Sequence, residues 1–191
     1  APARGARIVV VGAGVGGATA AKYLKLFNKN LDVTLIDRNP NFIRHYGSSE
    51  LITGAVTMED LTVSYDALSD RYGVRVVRDT IVGLDADRRT VIGEKGRYAY
   101  DKLIVSPGIE LLYEGIPGYS AELAATKIPS GWIAGPQTQL LADQLKAMPQ
   151  GGTFCLVAPP NPYRCPPGPY ERAALVTEWC AKHNPTAKII V

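Results

Sequence analysis

Residues 7–17 read R-I-V-V-V-G-A-G-V-G-G, an apolar, β-branched run that passes directly into a cluster of glycines. A continuous run of this kind is typical of a strand buried in a parallel sheet. Gly12, Gly14 and Gly17 have the G-x-G-x-x-G spacing: the first allows a tight turn, the second lets backbone approach a pyrophosphate, and the third lets helix pack on strand. We therefore predict a strand over residues 7–11 followed by a helix over residues 15–27, whose N-terminal amides and positive dipole end face phosphates.

The next apolar segment strengthens the prediction of a nucleotide site. Asp32–Asp37, D-V-T-L-I-D, is predicted to be a second buried strand, and Asp37 ends it about 25 residues after Gly12. A carboxylate at this place accepts hydrogen bonds from an adenosine ribose and disfavours a 2′-phosphate, so FAD or NAD fits better than NADP. The glycines alone would also fit a simple tight turn. Arg38 and Ile81 are weaker candidates for contacts to the ribose and the adenine.

A long segment without clear periodicity, residues 38–57, follows the second strand and contains several turn residues. We predict a functional loop here. In a flavoprotein, Arg44 and His45 are candidates for contacts to the middle of the cofactor and to the flavin ring. A partly exposed loop imidazole without a cofactor role is the simpler interpretation of His45.

The remainder of the first half is predicted to complete a cofactor domain. A helix is expected over Leu61–Tyr72 and ends at Gly73, because glycine suits a helix C-terminus. Short apolar segments predict an antiparallel β-meander that returns to a buried strand, at residues 74–77, 80–84, 90–92 and 98–105. The turn that follows, Ser106-Pro107-Gly108, would let backbone approach the cofactor.

The second half is predicted to begin another α/β unit. Residues 109–130 are interpreted as a connection between domains, and a helix is expected over 135–148. Strand, helix and strand patterns follow at 153–158, 169–182 and 187–191. We assign residues 1–112 to a Rossmann-like FAD-binding domain with a β-meander, and residues 113–191 to the start of an NAD-like α/β domain. Because one βαβ unit cannot form a stable layer alone, we expect a protein about twice as long.

The loop between strand and helix of this second unit has a special composition. Residues 155–172 read C-L-V-A-P-P-N-P-Y-R-C-P-P-G-P-Y-E-R, with proline and a thiol where a phosphate-binding loop has glycines. Prolines offer few amides to a pyrophosphate, so we predict that this domain has lost NAD(P)H binding. Cys165 precedes a helix N-terminus and adjoins Arg164, a setting that favours the thiolate as nucleophile or leaving group.

Composition narrows the classes of function. Lys and Arg, 21 in all, exceed the 18 Asp and Glu by three without a basic run, which argues against nucleic acid as a partner. No apolar stretch approaches the roughly 20 residues needed to span a bilayer. Three cysteines without a C-x-x-C pair or a Cys/His cluster argue against a disulfide framework and against a metal site. The start, A-P-A-R-G-A-R, resembles the end left by signal-peptide removal, although an arbitrary boundary would look the same.

Three motifs together resemble a known family. They are G-A-G-V-G-G at residues 12–17, the turn at 106–109 and, most specifically, A-P-P-N-P-Y-R-C-P-P-G-P-Y-E-R at 158–172. These are similar to the flavoprotein subunit of flavocytochrome c sulfide dehydrogenase, a relative of sulfide:quinone oxidoreductases with the two-dinucleotide-domain fold of glutathione reductase. The resemblance covers essentially the whole chain and corresponds to the N-terminal half of that subunit.

The resemblance implies an exported, periplasmic enzyme that binds FAD and passes electrons to a c-type cytochrome subunit. It implies that Cys165 forms a redox-active disulfide beside the flavin with a cysteine of the C-terminal half. Sulfide or polysulfide would attack this disulfide, a persulfide would form, and the released thiolate would reduce the flavin. Cys155, interpreted as a buried strand residue, and Cys180, roughly 15 Å along a helix, are poor partners because a disulfide needs Cα atoms within about 7 Å. Both are predicted to be core residues.

His45 departs from the family pattern. FAD is typically joined there through its 8α-methyl group to a cysteine, and His45 holds the corresponding position in this chain. A thioether cannot form, so we expect non-covalent FAD, with a histidyl linkage as the alternative. Trp132 would either cover the flavin or pack at the domain junction. The alternatives to a cytochrome-linked sulfide dehydrogenase are a sulfide:quinone oxidoreductase and a non-catalytic flavoprotein homologue.

Overall fold

The structure, a computed structural model, describes residues 5–191, so the first part of the segment interpreted as a mature N-terminus, residues 1–4, lies outside it. The chain folds into two units. The first contains the described residues up to Phe42 together with Val63–Glu110, and the second contains Ile43–Thr62 and Leu111–Val191. The sequence placed one boundary after residue 112 and did not indicate that residues 43–62 belong with the second half.

Helices and strands both occur in each half of the chain. In order they are β1 (Arg7–Val11), α1 (Val15–Phe27), β2 (Asp32–Asp37), β3 (Asn41–Ile43), α2 (Ser48–Ile52), α3 (Met58–Leu61), β4 (Thr62–Ser64), α4 (Asp66–Tyr72), β5 (Arg75–Arg78), β6 (Ile81–Asp85), β7 (Thr90–Gly93), β8 (Arg97–Ala99), β9 (Lys102–Val105), α5 (Ala121–Thr126), α6 (Pro136–Ala147), β10 (Thr153–Cys155), α7 (Gly168–His183) and β11 (Lys188–Ile190). Short 3-10 turns lie at His45–Gly47 and Tyr113–Gly115. No helix among residues 5–191 has both the length and the apolar character required to cross a bilayer.

A four-stranded parallel sheet in the order β5-β2-β1-β9 organises the first unit. Ile8 and Val10 pack on the side of α1, whereas Val9 packs with Val91 and Tyr100 on the side of the meander. Because both faces of β1 are buried, its sequence is a continuous apolar run. The predicted meander is confirmed in part as the antiparallel sheet β6-β7-β8, but its predicted first segment, residues 74–77, overlaps β5, which pairs in parallel with β2.

Three predictions for the first half are wrong, two in the bounds of an element and one in the type of structure. Residues 98–105 form two strands in different sheets, and the chain turns at Asp101, whose carboxylate accepts from the amide and guanidinium of Arg7 at 2.7 and 2.8 Å. The helix predicted from Leu61 begins at Asp66, because residues 62–64 form β4. The segment 38–57 was predicted to be a loop but contains a strand, a 3-10 turn and a helix.

The second unit has the predicted strand, helix and strand. β10 and β11 pair in parallel, and α7 connects them. Both strands are shorter than predicted, since β10 ends at Cys155 and β11 at Ile190. The core of this unit comes from three helices and contains Ile52, Leu145 and Val176.

Asp79 joins the parallel sheet to the meander. Its side chain is buried, with 2% of its surface exposed, and its amide donates to the carbonyl of Asp37 at 3.0 Å. The carboxylate accepts from the hydroxyl of Tyr98 at 2.6 Å and from the amide of Lys95 at 3.1 Å. The hydrogen bond from Tyr98 and those from the backbone hold the pKa of Asp79 below its usual value. Burial, reinforced by Asp79, raises the pKa of Tyr98 to about 12.

We expect Asp79→Ala to lower the thermal unfolding midpoint more than Tyr98→Phe does, because it leaves both the Tyr98 hydroxyl and the Lys95 amide without their acceptor. Since the folded-state pKa of Asp79 is depressed, its contribution is fully present above the unfolded pKa of about 3.9 and is lost as the pH falls through the lower folded value. Calorimetry from about pH 7 down to about pH 3 should show the difference between wild type and Asp79→Ala shrinking below about pH 4. A difference that stays constant over this range would contradict the assignment.

Candidate functional site

The glycine-rich turn lies at the carboxyl end of β1, the edge of a parallel α/β sheet at which ligands bind. Gly12 has a φ of +93°, and a Cβ on it would collide with the carbonyl of Ser106. A Cβ at Gly17, in α1, would collide with the carbonyl of Gly12. The close packing of turn, helix and the segment after β9 therefore requires both glycines.

Gly14 serves a different purpose from these two. It is the N-cap residue of α1 with a φ of −66°, and a Cβ built on it has no atom within 4 Å. No side chain caps α1, and its first turn carries no acidic residue. The N-terminal amides of α1 thus face an open space that suits a pyrophosphate, so the residues present fit the dinucleotide that the spacing predicts.

Asp37 fastens the glycine-rich turn to the end of β2. One carboxylate oxygen accepts from the amide of Ala13 at 2.7 Å, and the other accepts from the amide of Asn39 at 2.8 Å. Each oxygen keeps a second lone pair, so the half-buried carboxylate can still receive a ribose hydroxyl. Burial and the charge of Asp37 raise the pKa of nearby Tyr65 to about 12. The bond to Ala13 was missed because spacing alone does not reveal it.

The turn after β9 lies beside the glycine-rich turn. The amide of Ser106 donates to the carbonyl of Val11 at 2.7 Å, and its Oγ is 2.9 Å from where a Cβ of Gly16 would be. Pro107 and Gly108 are exposed, and Gly108 has a φ of +86° with open space on its Cβ side. Backbone of this turn can therefore approach a bound cofactor.

The two weaker candidates of the first unit are Arg38 and Ile81. Arg38 is exposed, and its carbonyl accepts from Nε of Arg78 at 3.4 Å. Ile81 is half-buried and packs against the core that contains Val91 and Tyr100. Their roles toward ribose and adenine stay predictions.

Arg44 and His45 belong to the second unit. The amide of Arg44 donates to the carbonyl of Leu61 at 2.9 Å, Nη2 donates to the carbonyl of Asp60 at 2.5 Å, and the guanidinium lies 6.0 Å from the ring centroid of Tyr46. Arg44 thus stabilises its own segment. His45 is exposed and contacts the ring of Tyr46 edge-on at 5.4 Å. Contacts of either residue with a flavin stay predictions.

Cys165 lies directly before α7 in an uncommon backbone conformation. Its φ is +59°, in the left-handed region where a residue with a side chain is strained by about 1 kcal/mol. Its carbonyl accepts from the amide of Gly168 at 2.9 Å, and its Sγ is 3.2 Å from where a Cβ of Gly168 would be. The side chain is exposed, so a small anion can reach the sulfur.

A short segment before α6 supports the cysteine loop. The ring of Trp132 lies 3.0 Å from the Cβ position of Gly168 and 6.3 Å, between centroids, from the ring of Tyr163. Nη2 of Arg172 donates to the carbonyl of Gly131 at 2.9 Å. Trp132 therefore packs on the cysteine loop within the second unit. Sequence reasoning missed Arg172, although it ends the C-P-P-G-P-Y-E-R motif.

The other two cysteines differ from each other. Cys180 is buried as predicted, and burial raises the pKa of its thiol. Cys155 was predicted to be buried but is exposed, because it ends β10, which pairs with β11 alone. Cys180 is 12 residues beyond Gly168 on α7, roughly 18 Å along the helix axis, which is too far for a disulfide with Cys165.

We expect Gly14→Ala and Gly12→Ala to separate cofactor binding from stability. The methyl group of Gly14→Ala enters open space at an ordinary φ, so the apoprotein should keep its unfolding midpoint while its affinity for FAD falls by at least about tenfold. Gly12→Ala should lower the midpoint itself, because its Cβ meets the Ser106 carbonyl. Calorimetry of the apoprotein measures the unfolding midpoint, and fluorescence titration with FAD measures the affinity for the cofactor. Unchanged FAD affinity in Gly14→Ala would show that the pyrophosphate binds elsewhere.

Two family models match the chain. Residues 6–131 match the family model described as pyridine nucleotide-disulphide oxidoreductase. Residues 138–191, which include the cysteine loop, match the central part of the sulfide dehydrogenase (flavocytochrome c) flavoprotein chain. Together the two matches cover both units.

Individual proteins of known sequence or structure are also similar to this chain. A sulfide-quinone reductase of Aquifex aeolicus (strain VF5) is 29% identical over 107 residues, 56% of this chain and 25% of the relative. A sulfide dehydrogenase (flavocytochrome c) flavoprotein chain of Chlorobaculum thiosulfatiphilum is 46% identical over 37 residues, 19% of this chain and 77% of that sequence. The crystal structure of the sulfide:quinone oxidoreductase from Aquifex aeolicus matches with a TM-score of 0.75 and 25% identity, over 96% of this chain and 42% of that one.

The chain therefore spans less than half the length of the sulfide-quinone reductases that it matches. The structural match confirms the predicted two-dinucleotide-domain α/β fold, and the matched families account for the FAD-binding features of the first unit. The chain belongs to the pyridine nucleotide-disulphide oxidoreductase family, as an FAD-binding flavoprotein of the type found in flavocytochrome c sulfide dehydrogenases and sulfide-quinone reductases.

Proposed function

We propose that this protein is the flavoprotein subunit of a sulfide dehydrogenase, which oxidises sulfide or polysulfide at Cys165 and passes electrons through FAD to a c-type cytochrome. The observation that carries the proposal is an exposed thiol at the beginning of α7, where a nucleotide-binding domain presents glycine amides. The exported, periplasmic location implied by the resemblance belongs to the same proposal.

The beginning of α7 is unsuited to phosphate. Six prolines lie within residues 155–172, and Pro169 occupies the first turn of the helix, where it offers no amide. Glu171, also in the first turn, adds a negative charge that opposes an incoming phosphate. Both features contrast with α1, whose first turn has no acidic residue and whose N-cap is a glycine. Sulfur chemistry, rather than a nicotinamide nucleotide, therefore suits the second unit.

The proposed chemistry begins with a disulfide between Cys165 and a second cysteine, which the resemblance places in the C-terminal half of such subunits. Hydrosulfide attacks one sulfur, the new S–S bond makes a persulfide, and the electron pair of the broken bond leaves on the other cysteine as a thiolate. A further hydrosulfide removes the outer sulfur as hydrodisulfide, so that one thiol and one thiolate remain. Re-forming their S–S bond releases two electrons and one proton. FAD held at the glycine-rich turn and Asp37 would supply the acceptor for both electrons.

A sulfide:quinone oxidoreductase is the second candidate. It is favoured by the structural match to the Aquifex aeolicus enzyme, which covers both units of this chain. The two candidates share the chemistry at Cys165 and differ in the acceptor. Reoxidation of the sulfide-reduced protein by a c-type cytochrome, compared with reoxidation by a soluble quinone, would distinguish them.

We expect Cys165→Ser to slow bleaching of the flavin by sulfide at least about a hundredfold, because serine provides no thiolate. Cys155→Ser is the matched control, since both thiols are exposed. Anaerobic stopped-flow absorbance on the full-length protein loaded with FAD measures the rate. If Cys165→Ser bleached as fast as wild type, the proposed chemistry would be wrong and a flavoprotein without sulfide activity at this cysteine would be favoured.

We expect acid precipitation of the protein to leave its FAD in the supernatant, because His45 stands where the family has the linking cysteine. Absorbance of supernatant and dissolved pellet measures the distribution. Flavin retained in the pellet would contradict non-covalent binding. Release of that flavin by His45→Ala would then identify a histidyl linkage.

A further inference from the structure

We propose that Arg172 is a positioning residue for Cys165, whose guanidinium is held against residues 131–132 so that its charge stabilises the anionic sulfur of the thiolate and of the persulfide. The proposal rests on the proposed function, which requires both anions at Cys165. It assigns to Arg172 the part that the sequence suggested for Arg164.

The helix geometry directs Arg172 toward the sulfur. Gly168 and Arg172 are four residues apart on α7 and share a face. Long side chains on a helix extend toward its N-terminus, which brings the Arg172 guanidinium back to the turn of Gly168. The Cys165 Sγ lies at this turn, 3.2 Å from the Cβ position of Gly168.

The guanidinium is fixed there by close packing. Nη2 donates to the carbonyl of Gly131 at 2.9 Å, and a Cβ on Gly131 would collide with Nη1. Gly131 is buried, and its φ is +70°, so glycine is required both by its backbone and by the arginine above it. Trp132, the next residue, covers Gly168. Gly131 thus binds Arg172, and the adjacent Trp132 packs on the turn at which the sulfur lies.

Burial increases the effect of this charge. Desolvation lowers the pKa of Arg172, while the negative charges of Glu171 and of the Cys165 thiolate raise it, so the guanidinium and the sulfur interact electrostatically. Nε of Arg172 is buried and has no hydrogen-bond partner among residues 5–191, which leaves a donor uncommitted on a side chain near the thiol. A desolvated charge acts through a lower dielectric and is screened less by salt than an exposed one.

The other charged or titratable groups around Cys165 do not replace Arg172. Arg164 is exposed, so solvent screens its charge. Glu171 is also exposed, and its negative charge opposes the thiolate. Tyr163, half-buried on the cysteine loop, carries a phenol and no cationic group. Among these groups Arg172 is therefore the cation that is partly shielded from water and whose charge interacts with that of the Cys165 sulfur.

The test measures the reactivity of Cys165 itself. Full-length protein loaded with FAD is reduced with dithiothreitol, desalted anaerobically and alkylated with iodoacetamide from about pH 5 to about pH 9, and mass spectrometry follows the Cys165 peptide. Arg172→Met should slow alkylation at pH 7 at least about threefold and move the profile to higher pH by roughly half a unit or more. Arg172→Lys should recover part of the rate, and Arg164→Met should change it less than about twofold.

An unchanged profile in a folded Arg172→Met, or a larger shift in Arg164→Met, would overturn the proposal. If Arg172→Met fails to fold, the salt dependence of the wild type decides. A rate at pH 7 that changes little between about 0.05 and 0.5 M KCl supports a buried cation, whereas a strong decrease implicates an exposed one and overturns the assignment. Because alkylation requires neither sulfide nor electron transfer, a protein with these profiles but without sulfide activity would refute only the proposed function.

Discussion

The contact between Gly12 and the carbonyl of Ser106 is the constraint on which the first unit depends. It brings the turn after β1 against the turn after β9, at the edge where the parallel strands end. Asp37 fastens the same turn to β2 through the amide of Ala13. These contacts determine where α1 begins, and therefore where its amides face open space at Gly14. A residue with a side chain at position 12 would disturb the packing and the cofactor site together.

The two units use the same strand, loop and helix arrangement for different chemistry. In the first, glycines leave the N-terminus of α1 open to a phosphate. In the second, prolines remove amides from the loop and an exposed cysteine precedes α7. The helix N-terminus and Arg172 both place positive charge near this sulfur. An arrangement that elsewhere binds an anion can thus stabilise one formed on the protein.

Sequence predicted the elements that local pattern determines. β1, α1 and β2 have their predicted bounds, since buried parallel strands are continuous apolar runs and the glycine spacing identifies the turn between them. The predictions were wrong or incomplete where contacts between residues far apart in the sequence determine the structure. The break at Asp101 depends on Arg7, 94 residues away, and the burial of Arg172 depends on Gly131. Cys155 was predicted to be buried because strand residues in α/β folds usually are, yet its strand pairs with β11 alone.

The central claim is that the second unit presents a thiol to sulfide where other members of the fold family bind a nicotinamide nucleotide. Anaerobic titration of the full-length protein loaded with FAD, first with sulfide and separately with NADH and NADPH, tests it directly through the flavin absorbance. The account predicts that sulfide bleaches the flavin rapidly and that neither nucleotide does so at comparable concentration. Rapid bleaching by NADH or NADPH, with no response to sulfide, would contradict it.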